Sequence, residues 1–319
     1  MHFNLTQQQR SPITNVSTQT SNRYRGRFAP SPSGLLHFGS LIAALASFLD
    51  AKSFVDENGQ QGQWLVRIDD IDPPREKKGA SAHILKTLEA YGLHWDEDVL
   101  YQSTQTDLYN DVLSDLAHHK LSYNCQCTRA QIKAIGGIYQ GVCKPLNLSN
   151  ATHNQNHATR LVNQSGIAEF NDVIQGQINC DSAFAKEDFI LKRKDGLFAY
   201  QLAVVVDELY QNITHVIRGC DLLEPTVRQL SLFTTLKQKA PIYGHFPVAA
   251  ASQGFKLSKQ NKAPTLDHNN PQSALIAALN FLGQQPDKNL VNASVDEIIS
   301  SAISHWQRNK IPQQKEIII

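Results

Sequence analysis

Chemistry-bearing residues cluster in three places along the sequence. The first is the run Arg27-Phe-Ala-Pro-Ser-Pro-Ser-Gly-Leu-Leu-His37-Phe-Gly39-Ser40. A turn rich in Gly and Pro ahead of a helix leaves backbone N–H groups free at the helix start, and these attract anions. His37 adds a donor, and Gly39 lets a flat ligand approach the backbone closely. The spacing is not that of a P-loop. An ordinary strand-to-helix turn with a surface histidine would hold the same residues. The second place is Lys256-Leu-Ser-Lys-Gln260. Two lysines flanking Ser258 suit a polyphosphate whose charge builds up in a transition state. A solvated basic loop is the plainer reading.

The third place is Cys125-x-Cys127, then Tyr139, then Cys143. Zinc takes four tetrahedral ligands and favours thiolates among them. Three cysteines this close, in a chain with no disulfide framework, favour a metal over a disulfide. Three sulfurs leave one position to fill. A phenolate is an unusual fourth ligand, and His118, His119, His153 and His157 compete with it. Three reduced structural cysteines are the alternative. Cys180 and Cys220 lie outside this group and read as small buried apolar residues.

These residues need elements to position them. Residues 23–29 read as a short strand leading into the Pro-Ser-Pro-Ser-Gly turn. Residues 41–49 are apolar nearly all round, as in a buried helix. A second strand, 64–68, runs into Asp69-Asp70-Ile71-Asp72, and helices follow near 79–91 and 106–119. Alternating strands and helices with short links predict a parallel α/β sheet, whose ligands gather at the C-terminal strand ends. Residues 151–186 are polar and read as an irregular connector or a small inserted domain. The α/β pattern resumes at 188–193. Residues 200–210 are ambiguous: Val204-Val-Val206 favours strand, but Leu202, Val205, Val206 and Leu209 fall at helical spacing, and helix is preferred. Strands at 213–217 and 246–250 flank a helix near 225–239. Two helices, near 272–283 and 294–307, close the chain.

The chain has 319 residues, 41% of them hydrophobic, enough to bury a large core. Lys and Arg total 30 against 29 Asp and Glu, a net charge of +1. That balance disfavours a polybasic nucleic-acid binder but allows a local basic surface. No apolar run approaches the roughly 20 residues needed to cross a bilayer. Residues 1–22 are mostly Gln, Asn, Ser and Thr, and read as a disordered polar tail rather than a leader. A soluble, cytoplasmic protein is expected.

The first two places, in this order and flanking an α/β domain, resemble the HIGH and KMSKS signatures of class I aminoacyl-tRNA synthetases. Here they read His37-Phe-Gly-Ser40 and Lys256-Leu-Ser-Lys-Gln260. Arg27-Phe-Ala-Pro-Ser-Pro32, Arg67-Ile-Asp-Asp-Ile-Asp72 and Ile213-Thr-His-Val-Ile-Arg-Gly219 are similar to the glutamyl branch of that class. The stretch from Cys125 to Cys143 is similar to the zinc motif of truncated paralogues of glutamyl-tRNA synthetase. Those paralogues act on tRNA(Asp) bearing queuosine.

The resemblance implies a Rossmann-like catalytic domain over 23–120 and 187–265. A zinc-bearing insertion and connector over 121–186 would interrupt it. A helical segment over 266–319 would follow, with no anticodon-binding domain. It implies ATP contacts from His37, Gly39, Ser40, Lys256, Ser258 and Lys259, with His37 and Lys259 catalytic. It implies a glutamate pocket of Arg27, Phe28, Ala29, Pro30, Ser31, Asp69, Tyr200 and Arg218. Arg27 would meet the side-chain carboxylate and Arg218 the α-carboxylate. Asp69 stands where the bacterial glutamyl pattern commonly has Glu. One structural Zn²⁺ would sit on Cys125, Cys127, Tyr139 and Cys143, and Mg²⁺ would accompany ATP. The implied partners are L-glutamate, ATP and queuosine-bearing tRNA(Asp), and a monomer is expected. An ordinary glutamyl-tRNA synthetase, a catalytically idle tRNA-binding relative and a metal-structured nucleic-acid module are the competing readings.

Overall fold

The computed structural model describes residues 23–146, 157–256 and 264–319. The N-terminal polar stretch, His153, Ser258 and Lys259 lie outside the described residues. Strand β1 (Arg25–Phe28) turns through residues 30–34 into α1 (Phe38–Lys52). Leu41, Leu45 and Leu49 are buried on one side of α1 and Ala44, Ala46 and Ala51 elsewhere around it. A helix apolar on every side belongs inside a fold, and α1 packs against the buried Trp64 and Leu279. β2 (Gln63–Ile68) pairs in parallel with β1, with Arg27 opposite Leu65. After α2 (Ala80–Ala90), β3 (Leu100–Tyr101) extends the sheet in parallel from β2. α3 (Thr106–His118) ends this half.

The middle of the chain holds β4 (Ser122–Cys125), α4 (Arg129–Ala134), β5 (Ala158–Leu161), β6 (Glu169–Asp172), β7 (Gly176–Asn179), α5 (Ser182–Lys186) and β8 (Ile190–Lys192). The polar stretch expected to be irregular therefore contains regular structure. Its strands escape a composition-based reading because in the two-stranded β6–β7 ribbon one apolar pair, Phe170 opposite Ile178, stands among Glu, Asn, Asp, Gln and Gly. β4, β5 and β8 form an antiparallel sheet. That sheet runs across the boundary expected between residues 186 and 187.

The second half supplies α6 (Tyr200–Tyr210), β9 (His215–Gly219), α7 (Pro225–Thr235), β10 (Ile242–Phe246), β11 (Val248–Ser252) and β12 (Phe255–Lys256). The valine-rich stretch is helix α6, so helical spacing prevails over β propensity. β9 and β10 are parallel. The Thr214 N–H donates to the Arg25 carbonyl at 2.9 Å and sets β9 beside β1. The resulting order, β3-β2-β1-β9-β10, is that of a doubly wound α/β sheet. One strand was expected at 246–250, but β10 ends and β11 begins on either side of Pro247. Proline lacks the N–H that would continue a ladder.

Helices α8 (Pro271–Phe281) and α9 (Val295–His305) match the expected pair. A strand not expected from the sequence, β13 (Glu316–Ile318), then pairs in parallel with β11. The Glu316 carboxylate accepts the Gly254 N–H at 3.1 and 3.2 Å, which ties it to the β11–β12 turn. Asp50 anchors the same segment to α1. It accepts from Trp306 Nε1 at 3.0 Å, from Arg308 Nε at 2.7 Å and from the Tyr24 hydroxyl. Among the described residues, no helix is long and apolar enough to cross a membrane.

Candidate active site

The C-terminal ends of β1, β2 and β9 open into a cleft of about 490 Å³. Arg27, Phe28, Ala29, Pro30, Ser31, His37, Gly39, Ser40, Asp69, Tyr200 and Arg218 all line it. The strand-end rule for α/β sheets thus brings together residues that lie far apart in sequence. Lys256 ends β12, and the rest of its loop lies outside the described residues. The chain leaving that loop is bonded to the His37 turn. Thr265 bridges His37 in antiparallel fashion, and the Leu266 N–H donates to the Leu36 carbonyl at 3.1 Å. The first regular bond of α1 runs from Leu41 N–H to the His37 carbonyl at 2.9 Å. The N–H groups of Phe38 and Gly39 therefore have no carbonyl within the helix, which suits an anion at the cleft.

Only Asp69 of the acidic run Asp69-Asp70-Ile71-Asp72 lines the cleft. Asp70 turns away to accept from Ser103 N–H at 2.8 Å and Ser103 Oγ at 2.7 Å. Asp72 pairs with Arg75 and, at 3.8 Å, Arg193. The Asp69 N–H donates to the Pro30 carbonyl at 3.0 Å, which joins the end of β2 to the Pro-Ser-Pro turn. Its carboxylate takes Arg67 Nε at 2.7 Å. Burial raises the Asp69 carboxyl above its ordinary range, against the pull of Arg67 and Arg27. A second cation arriving in the cleft would relieve that cost.

Buried charges beneath the cleft position its arginines. Arg27 donates to Glu208 Oε1 from Nε at 3.1 Å and Nη2 at 2.9 Å. Arg218 donates to His245, Thr226 and Gln229, and its Nη1 is buried with no hydrogen-bond partner. Asp207 lies 3.6 Å from Arg67 and accepts from the Tyr109 hydroxyl at 2.8 Å and Gln102 Nε2 at 2.7 Å. Asp207, Glu208, Arg67, Asp172 and His245 were given no role from sequence. A signal did exist for two of them. Asp207 and Glu208 interrupt a helix of Leu, Ala and Val, and a carboxylate on such a face needs a partner.

Burial pushes Asp207 up to about 7, against the opposing Arg67, Tyr109 and Gln102. Its folded pKa thus lies above its unfolded value near 3.8. Between the two values the folded state holds a proton that the unfolded state has lost. Stability therefore falls as pH rises through this window. Thermal unfolding of the Asp207→Asn variant should lack this component. The wild type should lose stability relative to it by a few kcal/mol from pH 4 to pH 7. Parallel pH profiles for the two proteins would contradict the assignment.

The three sulfurs of Cys125, Cys127 and Cys143 lie within 4.8 Å of one another. A tetrahedral zinc with bonds of about 2.3 Å holds its sulfurs about 3.8 Å apart, so the group fits that ion. The Tyr139 side chain is 2% exposed and packs among the three cysteines. Its oxygen accepts the Cys143 N–H at 2.8 Å. Among the described residues no histidine joins the sulfur group: His157 Nε2 meets Gln126 at 2.7 Å, His119 faces Asp115 at 3.3 Å, and the His118 ring packs on that of His119. Of the two remaining cysteines, Cys220 is buried as expected, whereas Cys180 is partly exposed.

Fold and site together define an α/β ligase of the aminoacyl-tRNA synthetase type. The chain belongs to the tRNA synthetases class I (E and Q), whose catalytic-domain family model matches residues 23–317. It is similar to the glutamyl-Q tRNA(Asp) synthetase of Colwellia psychrerythraea, 66% identical over 302 residues, covering 93% of this chain and 95% of that one. It is similar also to the glutamyl-Q tRNA(Asp) synthetase of Escherichia coli K12, 52% identical over 294 residues and 92% of each chain. Among solved structures it resembles a glutamate tRNA ligase from Elizabethkingia meningosepticum in complex with its amino acid. That likeness has a TM-score of 0.74 at 24% identity and covers 92% of this chain but 66% of the other. It establishes the shared fold.

Proposed function

We propose that this chain activates L-glutamate with ATP and transfers the glutamyl group to the queuosine at the wobble position of tRNA(Asp). The observation that carries the reading is the pairing of Arg27 and Arg218. They are two buried guanidiniums facing one cleft that also holds Asp69 and the start of α1. Glutamate has two carboxylates and one ammonium. Two arginine forks and a carboxylate match it in number and sign. Arg27 receives the side-chain carboxylate, Arg218 the α-carboxylate and Asp69 the ammonium. Phe28, Ala29 and Pro30 wall the pocket, and Ser31 and Tyr200 contribute hydroxyls.

Activation then proceeds at the α-carboxylate. One of its oxygens attacks the α-phosphorus of ATP, a P–O bond forms and the bond to pyrophosphate breaks. Pyrophosphate leaves with the electron pair, and glutamyl-adenylate is the product. His37, Gly39, Ser40 and the α1 N-terminus hold the phosphates. Lys256, Ser258 and Lys259 stabilise the charge that grows on the leaving pyrophosphate. Mg²⁺ travels with ATP and needs no dedicated cage. In the second step a hydroxyl of the queuosine cyclopentenediol attacks the glutamyl carbonyl, and AMP leaves. This acceptor rests on the two relatives named glutamyl-Q tRNA(Asp) synthetase, whose lengths this chain nearly matches. Cys125, Cys127, Cys143 and Tyr139 hold one structural Zn²⁺, which braces the segment around β4 and α4. The protein acts in the cytoplasm as a monomer.

Pyrophosphate exchange tests the first step. Radiolabelled pyrophosphate should enter ATP when glutamate and Mg²⁺ are present and tRNA is absent. Glutamine and aspartate should support little exchange. An enzyme that exchanges only after tRNA is added would contradict tRNA-independent activation.

A further inference from the structure

We infer that His245 is a positioning residue for Arg218, with Asp172 holding its imidazole in the one tautomer that can accept from the guanidinium. The inference rests on the reading that Arg218 receives the α-carboxylate of glutamate. His245 sits on β10, next to Arg218 on β9, and the two are register partners. Arg218 Nε lies 3.0 Å from His245 Nε2. Arginine has donors and no acceptor, so Nε2 must present its lone pair. The proton is therefore on Nδ1, which lies 2.6 Å from Asp172 Oδ2.

Asp172 is itself fixed at the end of β6. Its Oδ1 accepts the N–H groups of Ile174 at 2.9 Å, Gln175 at 2.8 Å and His245 at 3.1 Å. His245 is fully buried. Burial presses its imidazole down to about 4, with Arg218 acting the same way and Asp172 and Asp221 opposing. The ring is neutral at pH 7 and cannot repel the guanidinium.

This arrangement differs from the one at Arg27. Arg27 donates from Nε and Nη2 to one carboxylate oxygen of Glu208. The Arg218 partners are neutral: His245, the Thr226 hydroxyl at 2.8 Å, the Gln229 amide oxygen at 2.8 Å and the Leu222 carbonyl at 3.4 Å. They fix the fork without cancelling its charge, while Nη1 is left with no partner. The guanidinium of Arg218 is thus held in its fork by neutral groups. A neutral imidazole orients it and leaves the charge for the ligand.

Two amide variants separate orientation from general support. His245→Gln can place an amide oxygen near the Nε2 position, so it keeps an acceptor for Arg218. His245→Asn can keep the donor toward Asp172 but lacks that acceptor. In tRNA-free pyrophosphate exchange, His245→Asn should raise the glutamate KM about 10–100-fold, the worth of one hydrogen bond to a charged group. Its ATP KM should stay within about 2-fold, and His245→Gln should retain most of the glutamate affinity. An unchanged glutamate KM in His245→Asn overturns the inference. So does an equal rise for glutamate and ATP in both variants. Imidazole ¹⁵N NMR of the wild-type protein gives an independent test, with the His245 signal assigned by its loss in His245→Gln. A neutral Nδ1–H tautomer at pH 7 supports the inference, and an Nε2–H tautomer overturns it. Wild-type protein that shows no glutamate exchange contradicts instead the reading of the cleft as a glutamate site.

Discussion

Arg27→Ala should abolish glutamate-dependent pyrophosphate exchange and destabilise the fold at the same time. Arg27 is 4% exposed and Glu208 is 1% exposed. Removing the cation strands a carboxylate in the interior, which costs about 3–5 kcal/mol. It also removes the fork assigned to the substrate side-chain carboxylate. The kcat/KM for glutamate should fall at least about 100-fold, as expected for losing a charge-assisted pair of hydrogen bonds. The double variant Arg27→Met/Glu208→Leu separates the two effects. Two apolar residues of similar size restore much of the thermal stability, because no buried charge is left unpaired. They cannot restore glutamate activation. Near-wild-type exchange by the double variant would contradict the role given to Arg27.

Cys125→Ser should lower bound zinc well below one equivalent and unfold the segment around β4 and α4. Cys125 is fully buried at the end of β4 and has no solvent to replace a lost metal bond. Apparent zinc-binding energies in small structural sites run to about 10–16 kcal/mol, and that energy is folding energy. Loss of one thiolate therefore has a large effect on a segment whose local core is Cys125, Tyr139 and Cys143. Tyr139→Phe is the sharper probe of the fourth ligand. It keeps the ring over which Arg160 stacks at 3.7 Å and removes only the oxygen. Zinc affinity should drop, with less loss than in Cys125→Ser. Elemental analysis and proteolysis of the segment read both outcomes. Full stoichiometric zinc in Cys125→Ser would refute the metal assignment.

The lining of the cleft was legible because its residues fall in short motifs at strand ends. Arg27 lies near the end of β1, His37 opens α1 and Asp69 follows β2, and strand order carries them to one cleft. Helical spacing identified α6 despite its three valines. The supporting charges were harder to see because their partners are remote in sequence. Glu208 meets Arg27 across 181 positions, and Asp172 meets His245 across 73. No local pattern encodes such pairs. The β6–β7 ribbon and β13 were missed for a related reason. β6 and β7 are four residues each with one large apolar residue apiece, Phe170 opposite Ile178, too few to show a pattern. β13 is fixed by backbone pairing with a distant strand, Glu316 beside Val248. The Cys-Cys-Cys grouping was visible from spacing, but the position of Tyr139 among the sulfurs depends on how residues 126–142 fold.

The central claim joins a glutamate-activating cleft to a modified-tRNA acceptor, and one transfer experiment tests both parts. Labelled glutamate and ATP are incubated with the protein and with three RNAs: tRNA(Asp) bearing queuosine, tRNA(Asp) lacking it, and tRNA(Glu). The account predicts label on the first RNA alone, attached to the anticodon nucleoside after nuclease digestion. Label on tRNA(Glu) at its terminal ribose, or no transfer to queuosine-bearing tRNA(Asp), would contradict it.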